Sequence, residues 1–367
     1  MQGASRITLF IFALLLLLAT GCASERPPSG GKTDDTPLQV LASDPAPESV
    51  NVTRQRIQLT FNQEITARQL LKLLVMTPSI GRYDIAQNGK SASIQLDNQL
   101  ESNRTYLLTI DKNLKDHRGR TLPAPYSLAF STGSTLDSGV MSGKVLNADG
   151  SPAAQAQLLA FAERTSAADK ESLLTRKAEY VTQSDASGAF SFQHLAAGSY
   201  RVVAVRHHES GFRQMIGSEK IGLSSMTLIS TGASELLLRF PETSQNLTKE
   251  KAISASTDSG GISGRCFASA DAVIVEATNA ATSWRMLASR DRNGVFFYSF
   301  PKLPAGSYTV SAFLPHLGKK ADAEQRWFGG SIEPFLPAEP FGVYPAKVTV
   351  RARWMTEHVD IHIKTSP

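Results

Sequence analysis

An internal repeat constrains the fold of this chain more than any other feature of its sequence. Residues 185–192 and 291–298 share an Asp-x-x-Gly turn, and an aromatic-rich strand follows the turn. Each copy continues with Leu-x-Ala-Gly-Ser-Tyr, at 195–200 and 303–308. The Asp carboxylate caps the turn, and Gly takes a left-handed conformation that other residues disfavour. Both copies are therefore predicted to form the same unit of strands and turns.

Each copy is also headed by a Ser-Gly-basic tripeptide, at 142–144 and 263–265. The pattern resembles the carboxypeptidase regulatory-like, transthyretin-type β-sandwich, over residues 140–241 and 261–363. That resemblance implies two sandwiches and is nearly silent on function, because such modules are common accessories. The first copy has an extra polar stretch near 163–177, which we predict to be a surface excursion.

Residues 37–133 alternate short strands with turns. Apolar residues recur at every second position in 55–62, 91–97 and 104–111, whereas 67–76 could be a short helix or a strand. The segments 44–65, 100–110, 115–120 and 130–133 follow one another as in the bacterial Ig-like domain of S-layer and other envelope proteins, which the stretch resembles.

The predicted fold class is all-β, with three tandem β-sandwich domains, one Ig-like and two transthyretin-like. The length of 367 residues allows two or three domains, and 41% hydrophobic residues suffice for packed cores. The polar stretch 242–260 is predicted to be a linker between the second and third domains.

The N-terminus predicts the compartment. Residues 9–20 form an apolar run that is too short to span a bilayer, which needs about 20 residues, and that is typical of a secretory signal peptide. The run ends in Leu-Ala-Thr-Gly-Cys at 18–22, which resembles the bacterial lipobox. The resemblance implies that 1–21 is a lipoprotein signal peptide and that Cys22 carries fatty-acyl chains such as palmitate. The alternative is a plain signal peptide with an incidental Cys.

Residues 22–36 are rich in Pro, Gly, Ser and charge, and are predicted to be a flexible tether. The chain should thus sit on a membrane through its lipid anchor without crossing it. By resemblance, Ala23 favours the outer membrane, and the lack of an acidic run after Cys22 favours its periplasmic face over the cell surface. Cys266 then has no disulfide partner and is predicted to be a buried, inert thiol.

Other chemistry is not indicated by the sequence. A net charge of +5 without a Lys/Arg cluster argues against nucleic acid as a partner. The Gly-Lys-Thr at 31–33 and the Gly-Lys-Ser at 89–91 lack the earlier Gly of a phosphate-binding loop. No Gly-x-Ser-x-Gly or His-Glu-x-x-His motif occurs. No catalytic residue and no cofactor is therefore expected.

A metal site is also not expected. His358, Asp360 and His362 share one strand face, but the two histidines would lie about 13 Å apart and could not bind one ion. His207 and His208 would point to opposite faces of an extended strand. Related envelope lipoproteins often have an acidic loop at this place, whereas the segment around these histidines offers a single carboxylate. Calcium prefers several oxygen ligands, so the resemblance implies no calcium site here.

The stretch 326–345 is the most suggestive for binding. Four prolines exclude a regular helix or a central strand there. It could be an exposed docking surface for protein or sugar, or a crossover packed on its own sandwich. Trp284 and Trp354 lie in strand-like runs and are predicted to be core. The candidate binding residues of the stretch are its five aromatic side chains, Trp327, Phe328, Phe335, Phe341 and Tyr344.

The predicted function is a non-enzymatic, lipid-anchored cell-envelope protein with a binding, adhesion or structural role at the outer membrane. One alternative is a carbohydrate-binding accessory lipoprotein of a polysaccharide-uptake system, which would use the aromatics at 327–344. The second alternative is a hydrolase with its site between domains. The binding, adhesion or structural role in this prediction is supported by analogy of fold alone.

Overall fold

Short strands joined by turns supply nearly all regular structure in this computed structural model. It describes residues 35–78, 80–163, 172–206, 216, 220–241, 259–279, 282–315, 322 and 324–364. The predicted signal peptide, Cys22, residues 22–34 of the tether, residues 242–258 of the linker and His207 and His208 lie outside these ranges. No helix within the described ranges has the length and apolar character needed to cross a membrane.

The first sandwich has two antiparallel sheets, ordered β1-β2-β5-β4 and β3-β6-β7. Ile57, Leu59 and Phe61 alternate with polar residues and are buried between the sheets, as their spacing predicts. The elements are β1 (Val40–Asp44), β2 (Arg56–Phe61), α1 (Ala67–Leu73), β3 (Leu74–Thr77), β4 (Tyr83–Asn88), β5 (Ser91–Leu96), β6 (Thr105–Ile110) and β7 (Tyr126–Ser131).

The stretch 67–76, for which helix and strand both remained open, contains both. The hydroxyl of Thr66 accepts the N–H of Gln69 and caps the start of α1. Leu70 and Leu73 of α1 are buried, and the chain then enters β3, which is buried along its length. A leucine-rich run can satisfy either period, so the change of structure at Leu74 depends on pairing with β6.

The second sandwich is one rolled sheet in the order β10-β9-β12-β13-β15-β8-β11, with β14 also paired to β12. Its last strand, β15, runs parallel to its first, β8. The strands are β8 (Gly139–Leu146), β9 (Gln157–Ala162), β10 (Tyr180–Gln183), β11 (Ala189–Leu195), β12 (Ser199–Val205), β13 (Ile221–Leu223), β14 (Ile229–Ser230) and β15 (Leu236–Arg239).

The third sandwich has a similar succession of strands, but they are divided between two sheets. The orders of these sheets are β19-β20-β16-β26 and β18-β17-β21-β24. Its last strands, β26 and β27, also run parallel to its first, β16, and β25 pairs with β21. The strands are β16 (Ser259–Phe267), β17 (Ile274–Thr278), β18 (Ser283–Leu287), β19 (Ser289–Arg290), β20 (Phe296–Pro304), β21 (Gly306–Phe313), β22 (Ser331–Ile332), β23 (Phe335–Leu336), β24 (Phe341–Val343), β25 (Val348–Val350), β26 (Met355–Thr356) and β27 (Ile361–His362).

The repeated turns have the geometry that the sequence predicts. The carboxylate accepts backbone N–H groups two and four residues ahead, at 2.8 and 3.0 Å for Asp185 and at 2.9 and 2.8 Å for Asp291. Gly188 and Gly294 have φ angles of 75° and 84°. Both turns therefore feed an aromatic strand into a core, β11 in the second sandwich and β20 in the third.

One expectation from the sequence is wrong, and a second holds for only part of its described residues. Trp354, predicted to be core, is 68% exposed because it lies in a turn between β25 and β26. Of the polar stretch 163–177, residues 164–171 lie outside the described ranges; in the rest, residues 174, 175 and 177 are exposed as expected, whereas Leu173 and Arg176 are buried. The Arg176 guanidinium donates to the Ala162 carbonyl and forms an ion pair with the Glu179 carboxylate. These partners offset the cost of burying its charge.

Candidate functional site

The aromatic stretch of the third sandwich packs against the outside of the second. Strands β9 and β12 are buried on both faces: Leu158 and Val202 face their own core, whereas Leu159 and Val203 face outward. The outward apolar surface also includes Phe161, Val205 and Leu223, all at most 1% exposed. It is packed against side chains of the third sandwich, namely Trp327, Ile332, Phe335 and Ala338. We call residues 326–343 the clasp.

A buried cation sits inside the clasp contact. The guanidinium of Arg239, at the end of β15, lies 5.0 Å from the ring of Trp327 and 6.0 Å from the ring of Phe341. Arg239 is 4% exposed and its Nε donates to the carbonyl of Ala148 at 3.2 Å. The attraction between a guanidinium and an indole face is worth about 2 kcal/mol when the pair is desolvated, which is more than when it is exposed. Arg201 makes a similar contact with Phe335, at 5.3 Å.

Internal bonds fix the shape of the clasp. The Glu339 carboxylate, in a residue only 3% exposed, accepts the backbone N–H of Phe328 at 2.8 Å. The Trp327 Nε1–H donates to the Glu339 carbonyl at 2.9 Å. Gly330 has a φ of +85°, and a Cβ there would lie 2.7 Å from a methyl of Leu223 in β13. These hydrogen bonds hold the clasp in one conformation. At Gly330 the clasp approaches the second sandwich too closely for any side chain.

The five aromatic residues predicted to bind have different environments. Phe341 is 5% exposed, Trp327 and Phe335 are half-buried, and Phe328 is 37% exposed. Tyr344 is half-buried and lines a separate groove beyond the clasp. The stretch therefore packs mainly on the neighbouring sandwich, an arrangement that neither sequence-based alternative included.

A cleft of about 590 Å³ lies where β8 and β15 approach β24 and β27. Ser142, Ser224 and Ser234 line it together with apolar residues such as Phe190 and Met226. The ion pair of Glu235 with Lys364 borders it, and the hydrogen bond from Lys364 lowers the pKa of Glu235. The volume is in the range of small-molecule sites.

The remaining candidate residues are held in structural contacts. Burial raises the pKa of the Cys266 thiol to about 12, with the nearby charge of Asp360 adding to the effect. The Asp360 carboxylate pairs with Arg265 at 2.6 Å, and the ring of His362 stacks on Phe267 at 4.6 Å. Among the described residues no group of three His, Cys, Asp or Glu side chains could hold a metal ion.

Arg239 and Glu339 are the residues of this site that sequence reasoning missed. The signal for them is indirect. Strands β9 and β12 read as continuous apolar runs rather than alternating ones, which is typical of strands covered on both faces. Such runs indicate that a cover exists, but they do not identify the segment that supplies it.

Comparisons with known proteins identify the first sandwich. The family model described as a bacterial Ig-like domain matches residues 34–132. No curated protein sequence matches the chain.

Solved structures give only remote likenesses. The Bacillus anthracis TIE protein is 11% identical over 92% of this chain, with a TM-score of 0.18. The N-terminal part of the bacterial S-layer protein SbsC is 13% identical over 57% of this chain, with a TM-score of 0.21. The chain spans 59% and 45% of these two proteins. A streptococcal ancillary pilin is 8% identical over 77% of this chain and 81% of its own length, with a TM-score of 0.19. Values this low carry no argument about function.

Proposed function

We propose that this protein is a non-enzymatic, lipid-anchored component of the bacterial cell envelope with a structural or binding role. The observation that carries the structural role is the clasp. The aromatic residues of 327–341 join two sandwiches into one body, since they cover an apolar sheet face and enclose Arg239. Described residues 37–364 accordingly belong to one compact unit. A body of this kind can hold a binding surface at a fixed place near a membrane.

The anchor in this proposal is Cys22. The bacterial Ig-like match from residue 34 supports an envelope location, and the lipobox-like residues at 18–22 precede it by a short polar stretch. Two or more acyl chains would give stable attachment, because each buried methylene contributes about 0.8 kcal/mol. We further propose the outer membrane as the site, with its periplasmic face favoured.

The test is metabolic labelling of the full chain with a palmitate analogue, followed by mass spectrometry of the mature N-terminus. Wild-type protein should carry acyl groups on Cys22 and fractionate with outer membranes. The variant Cys22→Ser should be unlabelled, whereas Ser24→Ala, a neutral change in the same segment, should label normally. A soluble wild-type protein with an unmodified Cys22 would overturn the proposal.

A further inference from the structure

Trp354 is the most exposed large apolar side chain in the described part of the protein, at 68%. Isolated exposed apolar residues are common and need no functional explanation. Trp354 differs because its backbone is fixed and because it lies in a groove. Both features follow from the turn 351–354, which connects β25 to β26.

Backbone contacts hold this turn against β16. The N–H of Arg353 donates to the Ser259 carbonyl at 2.7 Å, and the N–H of Gly261 donates to the Trp354 carbonyl at 2.9 Å. A Cβ on Gly260 would lie 2.0 Å from the Arg351 carbonyl oxygen, so only glycine permits this approach. The indole is therefore presented on a backbone that needs little further ordering when a ligand binds.

The groove beside Trp354 has a volume of about 380 Å³ and walls of mixed polar and apolar residues. Val348 and Val350 of β25 are buried, so the alternating residues 347, 349 and 351 face outward along one side. Trp354, Thr356 and the half-buried Tyr344 also line the groove. The lining also includes Arg351 and Glu357, which supply donors and an acceptor, and Lys347, whose ammonium group uses one of its three N–H donors on the Thr309 hydroxyl at 2.6 Å.

We propose that this groove is a saccharide-binding site in which a pyranose of a β-linked glycan stacks on Trp354. A pyranose combines an apolar C–H face with a rim of hydroxyl groups. The indole can cover that face, as aromatic side chains cover apolar ligand surfaces generally. The hydroxyl, ammonium, guanidinium and carboxylate groups of the walls can bond the rim. The shallow, open form fits a segment of a chain better than a small enclosed ligand.

This site is independent of the proposed anchor and clasp. It moves the carbohydrate hypothesis from the stretch 327–344, in which Trp327, Phe335 and Phe341 are packed, to a surface that shares only Tyr344 with the binding residues predicted from sequence.

The experiment uses full-length protein purified in detergent, with chitohexaose and cellohexaose as probes in isothermal titration calorimetry. We expect wild-type protein to bind at least one probe, and Trp354→Ala to bind it at least about tenfold more weakly. Trp354→Phe should retain part of the affinity. Phe297→Ala removes another exposed aromatic of the same sandwich, 44% exposed, and should bind like wild type.

Circular dichroism of each variant separates lost binding from lost fold. No binding of either probe by wild-type protein, or undiminished binding by folded Trp354→Ala, would overturn the proposal. So would the capture of a protein rather than a glycan, in cells, by a photo-crosslinker placed at position 349, which lines the groove and leaves Trp354 intact. None of these results would alter acyl labelling of Cys22, so the two proposals fail separately.

Discussion

The tyrosine that begins the second strand of each repeat makes the same hydrogen bond in both copies. The hydroxyl of Tyr200 donates to the Ala196 carbonyl at 2.7 Å, and that of Tyr308 donates to the Pro304 carbonyl at 2.8 Å. Burial is the main cause that raises the pKa of both phenols. The bond explains why Ala-Gly-Ser-Tyr recurs, because the ring closes the turn from which its own strand emerges.

Cys266 should be chemically inert in the folded protein. Its side chain is buried among the aromatic and aliphatic residues of the third core, and its pKa of about 12 leaves almost no thiolate at neutral pH. We expect no labelling by a maleimide reagent in native protein at pH 7 and complete labelling in guanidinium chloride. Rapid labelling of native protein would contradict the buried position.

Acid should weaken the first sandwich through Asp116. Burial alone would raise the pKa of this carboxyl, but hydrogen bonds from the backbone and guanidinium of Arg120 and from the backbone of Arg118 lower it below its usual value. A carboxyl with a lower pKa in the folded state stabilises the fold above its ordinary pKa, near 4, and loses that contribution as the pH falls through the folded value.

The contribution of Asp116 to the free energy of unfolding should therefore be nearly constant between pH 7 and 5 and should decline at lower pH. Denaturant titrations of wild type and Asp116→Asn check this. The variant should be less stable at pH 7 and should lose less stability on acidification. Equal slopes for the two proteins below pH 4 would show that Asp116 does not contribute.

At the scale of elements, the Ser-Gly-basic tripeptides at 142–144 and 263–265 lie where the end of each sandwich runs parallel to its first strand. A Cβ on Gly143 would lie 2.2 Å from the Leu236 carbonyl oxygen, and one on Gly264 would lie 2.1 Å from that of Val359. In the second sandwich the last strand, β15, therefore rests on a glycine of the first strand, and in the third sandwich the segment between β26 and β27 does so. This contact explains why the same residue type heads both copies.

Gly264→Ala should destabilise the third sandwich by about 2–3 kcal/mol, because the added methyl must displace the backbone of Val359, which is hydrogen-bonded to β16. Gly306→Ala is the matched control, since its Cβ would meet nothing closer than 3.8 Å, and should change stability by less than about 1 kcal/mol. Thermal unfolding followed by circular dichroism measures both. Similar midpoints for the two variants would contradict the close crossing.

Local patterns predicted the elements, whereas contacts distant in sequence decided their pairing. The Asp185 and Asp291 turns were predictable because capping and φ depend on neighbouring residues. The parallel return of β15 and β27 was not, since nothing near Gly143 or Gly264 encodes the partner strand. Trp354 was misassigned for the same reason, because a strand-like run does not reveal a turn held by β16.

For the whole molecule, the sequence predicted sandwiches in tandem but not the surface that joins them. The apolar outer face of β9 and β12 is covered by a segment that begins more than 100 residues later in the chain. Composition marked 326–345 as unusual, yet aromatic residues serve packing and ligand binding equally well. Burial of each outward Leu, Val or Phe is worth about 1.5–3 kcal/mol, so joining the sandwiches is strongly favoured.

Differential scanning calorimetry of full-length protein tests this union most directly. We expect the second and third sandwiches to unfold in one transition, and Trp327→Ala, costing about 2–4 kcal/mol, to separate them into two. Phe328→Ala, a change at the adjacent and more exposed ring, should preserve the single transition. Separate transitions of the two sandwiches in wild-type protein, unaffected by Trp327→Ala, would contradict a body joined by the clasp.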